Sequence, residues 1–226
     1  MANEAELYPL VALYLKEKVG CLQTKENTGT KFGHIDVVGV KERKSNLSSQ
    51  PEIVAVEVKR GAARFLNSVG QALSYSLYAH RVYLAWEKPE YQEFSDEEID
   101  IAAKFGVGLL HINSKGKLRL VSSSASFLPE QYHLLQIIEK LGYFQCTICD
   151  SVYPSDGATH INQPSAINLS VNPNYKGKFV EIIKTGKPAF YYLYELAKHR
   201  ADERGYVHDK RFICNDCAGI FASFIN

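Results

Sequence analysis

The sequence lacks a long apolar run: nothing in its 226 residues approaches the ~18 that a membrane-spanning helix needs. The opening MANEAELYPL has no basic stretch ahead of an apolar one. The expectation is therefore a soluble, unprocessed, cytoplasmic chain with no membrane contact. It also lacks charge of one sign. Lysine and arginine number 26 against 25 acids, evenly in both halves, so any polyanion-binding surface must come from local arrangement. Internal repeats and low-complexity tracts are missing too, which excludes collagen-like and coiled-coil proteins. What is there has the usual globular balance, 46% hydrophobic and 23% charged. That length and balance suit one main domain with an appendage.

Hydrophobic periodicity organises the first half. Residues 3–19 carry Leu7, Leu10, Val11, Tyr14 and Leu15 at helical spacing, with Asn3 as N-cap and Gly20 behind. Two β-branched runs follow, His34 to Val40 and Glu52 to Lys59, read as a hairpin in a buried sheet. A helix over 62–79, a strand over 81–86, a helix opened by the capping box Ser95-Asp-Glu-Glu98, and strands over 107–112 and 117–121 complete the order α-β-β-α-β-α-β-β. The serine-rich stretch 122–126 reads as a linker. Beyond it, 129–141 is expected to be helical, 143–153 hairpin-like, 154–175 irregular and 188–203 helical. The expected domains are 1–125 and 126–226.

Two constellations carry chemistry. Glu57 and Lys59 stand two residues apart on a strand and so project to one side. Acid-x-base triplets at Glu42–Lys44, Asp202–Arg204 and Asp209–Arg211 are ordinary solvated pairs. Context separates Glu57 and Lys59 from these, because Asp36 interrupts the neighbouring apolar strand and the first helix opens with Glu4 and Glu6. A carboxylate in a buried strand is costly unless paired or metal-bound, so two on adjacent strands suggest a shared cation. Mg²⁺ suits two or three carboxylates with a main-chain carbonyl, here that of Val58, and retained waters. Lys59 would orient or activate water there. The bland reading of the same residues is an ion pair at a strand end.

The helix with Glu4, the Asp36 strand, the Glu57-x-Lys59 strand, the Gln71-Ala-Leu-Ser-Tyr75 helix and the strand 81–86 together resemble the PD-(D/E)XK nuclease superfamily. The resemblance covers 1–121. EAELYPLVALYLKEKVG is similar to the first helix of Holliday-junction-resolvase and Mrr-like members, which implies Glu4 in the metal site, with Glu6 as the second choice. Gln71 and Tyr75 resemble the Gln-x-x-x-Tyr helix of RecB-type members, which implies substrate or water positioning. Ile35 stands where the nominal motif has proline. The resemblance implies a restriction-endonuclease-like α/β fold, a mixed sheet flanked by helices, with an Mg²⁺- or Mn²⁺-dependent activity on DNA phosphodiester bonds.

The second constellation is Cys146-Thr-Ile-Cys149 with Cys214-Asn-Asp-Cys217. Four thiolates suit a closed, tetrahedral structural Zn²⁺ site. The interval between the pairs far exceeds the ~15–20 residues of a simple ribbon, so zinc would clamp a long insertion in a smaller α+β module. A redox reading needs a helix N-terminus beside a thioredoxin-like strand, which the sequence does not offer. His160, His199 and His208 are alternative ligands, and Cys21 reads as a buried small hydrophobe. Arg60, Arg64 and Arg81 are candidate phosphate contacts. The aromatic cluster 190–194 is read as core packing.

The favoured expectation is a metal-dependent endonuclease acting on DNA, with RNA as an alternative substrate and a homodimer as one assembly. Asp36, Glu57, Val58 and Glu4 would hold the metal, and Lys59 and Gln71 would serve the reaction. The alternative is a non-catalytic nucleic-acid-binding or regulatory zinc protein on the same fold. A third reading is a zinc-held adaptor.

Overall fold

The computed structural model describes residues 3–44, 49–89, 91–146, 149–155, 159–160 and 212–213. Its centre is a six-stranded sheet in the order β1 (Gln23–Thr30), β2 (Gly33–Lys44), β3 (Ser49–Arg60), β4 (Arg81–Glu87), β5 (Gly108–Ile112) and β6 (Leu118–Ser122). β1 runs antiparallel to β2, β3–β4 and β4–β5 are parallel, and β5–β6 is antiparallel. The sheet is thus mixed. Its parallel centre is buried on both faces, with Ile53 to Ala55 and Leu84, Ala85, Leu109 and Leu110 nearly inaccessible, as near-continuous apolar strands require.

The first helix is compound: a 3₁₀ turn at Glu4–Leu7, then α1 (Tyr8–Tyr14), then a π turn at Leu15–Val19. Asn3 caps it by accepting a hydrogen bond from the Ala5 N–H (3.1 Å). It ends at Gly20, whose φ of 81° is the left-handed cap that glycine accommodates. Leu7, Val11, Ala12 and Leu15 pack with Val37, Val54, Val56, Val58, Ala85, Leu110 and Ile112. Because strand side chains alternate, the α1 face takes Val37 and Val56 and Val58, and leaves Asp36, Glu57 and Lys59 to the other face. There lies α2 (Phe65–Ser74), continued by a 3₁₀ turn at Tyr75–Leu77. α3 (Asp96–Lys104) starts from the expected capping box, with Glu98 N–H to Ser95 Oγ and Ser95 N–H to Glu98 Oε2.

Two expectations need correction. β1, QTKENTGT, is a strand the hydrophobic pattern did not mark, because an edge strand with a polar, half-exposed surface carries no apolar signal. The serine-rich stretch is not a free linker. Ser124 is buried; its hydroxyl accepts the Val82 N–H (3.0 Å) and lies 2.8 Å from the Ala125 carbonyl, while Ala125 N–H donates to Gly106 O and Phe127 N–H to His80 O. These bonds fasten it to the ends of β4 and α3.

The chain divides into two compact units, Met1–Lys41 with Glu52–Leu134, and Glu42–Pro51 with Leu135–Asn226. The division falls within α4 (Gln131–Lys140); in the second unit a hairpin of β7 (Tyr143–Gln145) and β8 (Val152–Pro154) follows, and β9 (Thr159–His160) pairs antiparallel with β10 (Phe212–Ile213). The helix expected over 188–203, with its aromatic cluster, lies outside the described residues. Among the described residues, no helix is long and apolar enough to cross a membrane.

Candidate active site

A pocket of about 400 Å³ opens on the α2 face of the sheet, lined by Asp36 of β2, Glu57 and Lys59 of β3, Gln71 and Tyr75 from the α2 segment, and the β1–β2 turn. Glu57 and Lys59, two residues apart on β3, line the same pocket, and Asp36 of β2 joins them there. Asp36 is fixed by two donors: Tyr8 Oη to Oδ1 and the Val58 N–H to Oδ2, each 2.8 Å. Glu57, only 3% exposed, is gripped from both sides. Its Oε1 lies 2.6 Å from Lys59 Nζ, and its Oε2 accepts a short hydrogen bond from the Tyr75 hydroxyl. Tyr75 Oη also approaches the His34 carbonyl (2.9 Å), tying α2 to β2 beside Asp36.

The electrostatics follow from this crowding. Burial, and then the charge of Asp36, push the Glu57 carboxyl above its ordinary pKa despite the opposing help of Lys59 and Tyr75. Burial works against the Lys59 ammonium, but the hydrogen bond and charge of Glu57, with Glu4 and Asp36 behind it, outweigh that and raise its pKa. Lys59 is thus a resident cation. Burial and the neighbouring carboxylates drive the Tyr8 and Tyr75 phenols upward, so both act as neutral donors.

The helix acids separate. Glu4 stands 3.6 Å from Lys59, whereas Glu6 is held 2.6 Å from Arg60. Val58 is fully buried, and its N–H serves Asp36. Among the described residues, no three His, Cys, Asp or Glu side chains converge as a ready-made metal cluster. Two of the three candidate phosphate contacts are committed elsewhere: Arg60 pairs with Glu6 and Glu87, and Arg81 with Glu52 and the Ser124 carbonyl. Arg81 sits at the other end of the sheet, since it pairs in register with Val54 while Lys59 pairs with Trp86. Arg64 is exposed ahead of α2.

Sequence reasoning missed Tyr8 and His34. Both had a signal: Tyr8 is one helical turn from Glu4, and His34 is two strand residues from Asp36. Of the second constellation, Cys146 is buried directly after β7, with its N–H on Ser151 O (2.9 Å) and its carbonyl accepting the Asp150 N–H (3.0 Å). Asp150, next to Cys149, takes a left-handed φ of 64°. Cys214 and Cys217 lie outside the described residues, as do His199 and His208. Cys21 is buried as expected, and burial pushes its thiol up to about 12.

No family model and no curated protein matches the chain. Among solved structures, a protein of unknown function from Silicibacter pomeroyi is similar at 17% identity and a TM-score of 0.44, over 62% of this chain and 84% of that one. SfsA from Pyrococcus furiosus, in complex with Ca²⁺, is similar at 13% identity and a TM-score of 0.25, over 51% of this chain and 59% of that one.

Glu57 binds its proton more tightly folded than unfolded, so its contribution to stability is full below its ordinary pKa and is lost as pH rises through the raised one. In buffer without added divalent ions, stability of the native chain relative to Glu57→Gln should therefore fall as pH rises above the ordinary carboxyl range, by up to about 1.4 kcal/mol per pH unit. Urea denaturation at several pH values measures this; a pH-independent difference would contradict the assignment.

Proposed function

We propose that the chain is a metal-dependent nuclease that hydrolyses phosphodiester bonds in nucleic acid, DNA in the first instance. One observation carries the reading: Asp36, Glu57 and Lys59, from adjacent strands, line a single open pocket in which the two carboxylates repel one another. A cation relieves such repulsion. Mg²⁺ needs only one or two protein carboxylates, with waters and substrate oxygens filling its other positions, so the donor set of Asp36 and Glu57 fits it without a third acid. Glu4, close to Lys59, is available at the edge of the site. When bound, Mg²⁺ or Mn²⁺ supplies positive charge against the phosphoryl oxygens.

The chain's own groups do the remainder. Tyr8 and the Val58 N–H fix the Asp36 carboxylate, and Tyr75 fixes that of Glu57, so neither has to reorient when substrate arrives. Lys59, charged and only 13% exposed, orients the attacking water and offsets charge developing on the phosphate. Gln71 at the pocket wall positions water or substrate. The catalytic reading is preferred because two carboxylates and a lysine converge on one open pocket, the set that a metal ion and an attacking water would need.

The second unit is proposed to hold a structural zinc through Cys146, Cys149, Cys214 and Cys217. β10 lies beside β7, so the strand that leads directly into Cys214 runs next to the one that leads into Cys146. Ligation there would add stability to a region whose described strands, β7 to β10, are only two or three residues long.

Incubation with linear, supercoiled, branched and single-stranded nucleic acids in Mg²⁺ or Mn²⁺ should give cleavage that Asp36→Asn and Glu57→Gln each reduce more than about 100-fold. Cleavage unaffected by either substitution, or binding without turnover, would reject the nuclease. Elemental analysis should find one zinc per chain, lost in Cys146→Ser/Cys149→Ser; zinc-free protein, or full retention in that variant, would reject the second site.

A further inference from the structure

The turn between β1 and β2 is only two residues long, Lys31 and Phe32, between the paired Thr30 and Gly33. Thr30 locks it: its hydroxyl donates to the Gly33 carbonyl (3.0 Å) and accepts the Phe32 N–H (3.3 Å). Gly33, at φ 138°, takes a conformation that glycine tolerates best. Turns this tight usually present Gly, Asn or Asp, whereas this one presents a phenyl ring that is 69% exposed. The ring forgoes the stabilisation that burying it would contribute. It is not an isolated apolar residue, because Phe32 and the 48% exposed Leu77 form part of the wall of the pocket that holds Asp36 and Glu57. Lys31 holds its ammonium 5.3 Å from the ring centroid.

We propose that this hairpin tip is a base-stacking contact, and that the substrate the pocket takes is nucleic acid with unpaired nucleotides beside the reacting phosphate. The inference rests on the nuclease reading above and names its substrate class. A rigid, exposed aromatic face with a cation at its edge suits an unstacked base and its phosphate, and suits every base alike. Inside a duplex both faces of each base are covered by stacked neighbours, so only the two end pairs offer the ring a face, whereas every unpaired nucleotide does. Asp36 stands four positions after Phe32, about 13 Å at the usual strand rise, so the stacked base would lie within a few nucleotides of the cleaved bond.

Fluorescence anisotropy with labelled single-stranded and blunt-duplex oligodeoxynucleotides, in buffer without added Mg²⁺ or Mn²⁺, tests this without requiring turnover. Phe32→Ala should weaken single-strand binding about 5- to 10-fold and leave duplex binding within twofold, and Phe32→Trp should restore it. An oligonucleotide abasic at the stacked position should bind the native chain more weakly by the same factor, with no further loss in Phe32→Ala. No single-strand binding by the native chain, equal binding by Phe32→Ala, or an equal loss on both substrates would overturn the proposal. Single-strand binding that depends on Phe32, with no cleavage once Mg²⁺ or Mn²⁺ is added, would reject the nuclease and leave the stacking contact standing.

Discussion

Two negative charges held against their own repulsion dominate the molecule. Asp36 and Glu57 come from neighbouring strands, face the same pocket and are partly or almost wholly withdrawn from water. An unpaired buried carboxylate costs several kcal/mol. The surroundings reduce that cost with one cation, two phenol donors and one backbone N–H, and the carboxyl of Glu57 still resists ionisation. A fold selected for stability alone would replace such a pair with apolar side chains. Its presence in a cavity open to solvent is what the proposed metal-dependent reading would account for.

The rest of the architecture can be read as the support for that pair. Alternation along β3 sends Val54, Val56 and Val58 into the core beneath α1 and Glu57 and Lys59 into the pocket beneath α2. The two helical segments then reach the site from different directions, Tyr8 onto Asp36 and Tyr75 onto Glu57. Tyr75 also approaches the β2 backbone at His34, so a shift of α2 would disturb both strands at once. The short β1–β2 turn places Phe32 at the edge of the same cavity, on a scaffold stiffened by Thr30 and the strand pairing.

What could be read from the residues, and what could not, divides along physical lines. β2 and β3 announced themselves through β-branched runs, and the face shared by Glu57 and Lys59 followed from a period of two, whereas Asp36 on the neighbouring strand was marked by an acid inside an apolar run. The Ser95 capping box and the Gly20 terminus are local devices and were equally visible. β1 was hidden because an exposed edge strand needs no apolar alternation. Ser124 was misjudged because composition cannot register a hydroxyl whose partners, Val82 and Gly106, lie far away in sequence. Arg60 and Arg81 looked like phosphate contacts only until Glu6, Glu87 and Glu52 were brought beside them by folding.

Isothermal titration of Mn²⁺ into the native chain, Asp36→Asn and Glu57→Gln probes the carboxylate pair without any substrate. A one-to-one binding event in the native chain that is lost in both variants is the predicted result. Absence of binding in the native chain, or binding that survives both substitutions, would mean that the pair is balanced by Lys59 and the two tyrosines alone.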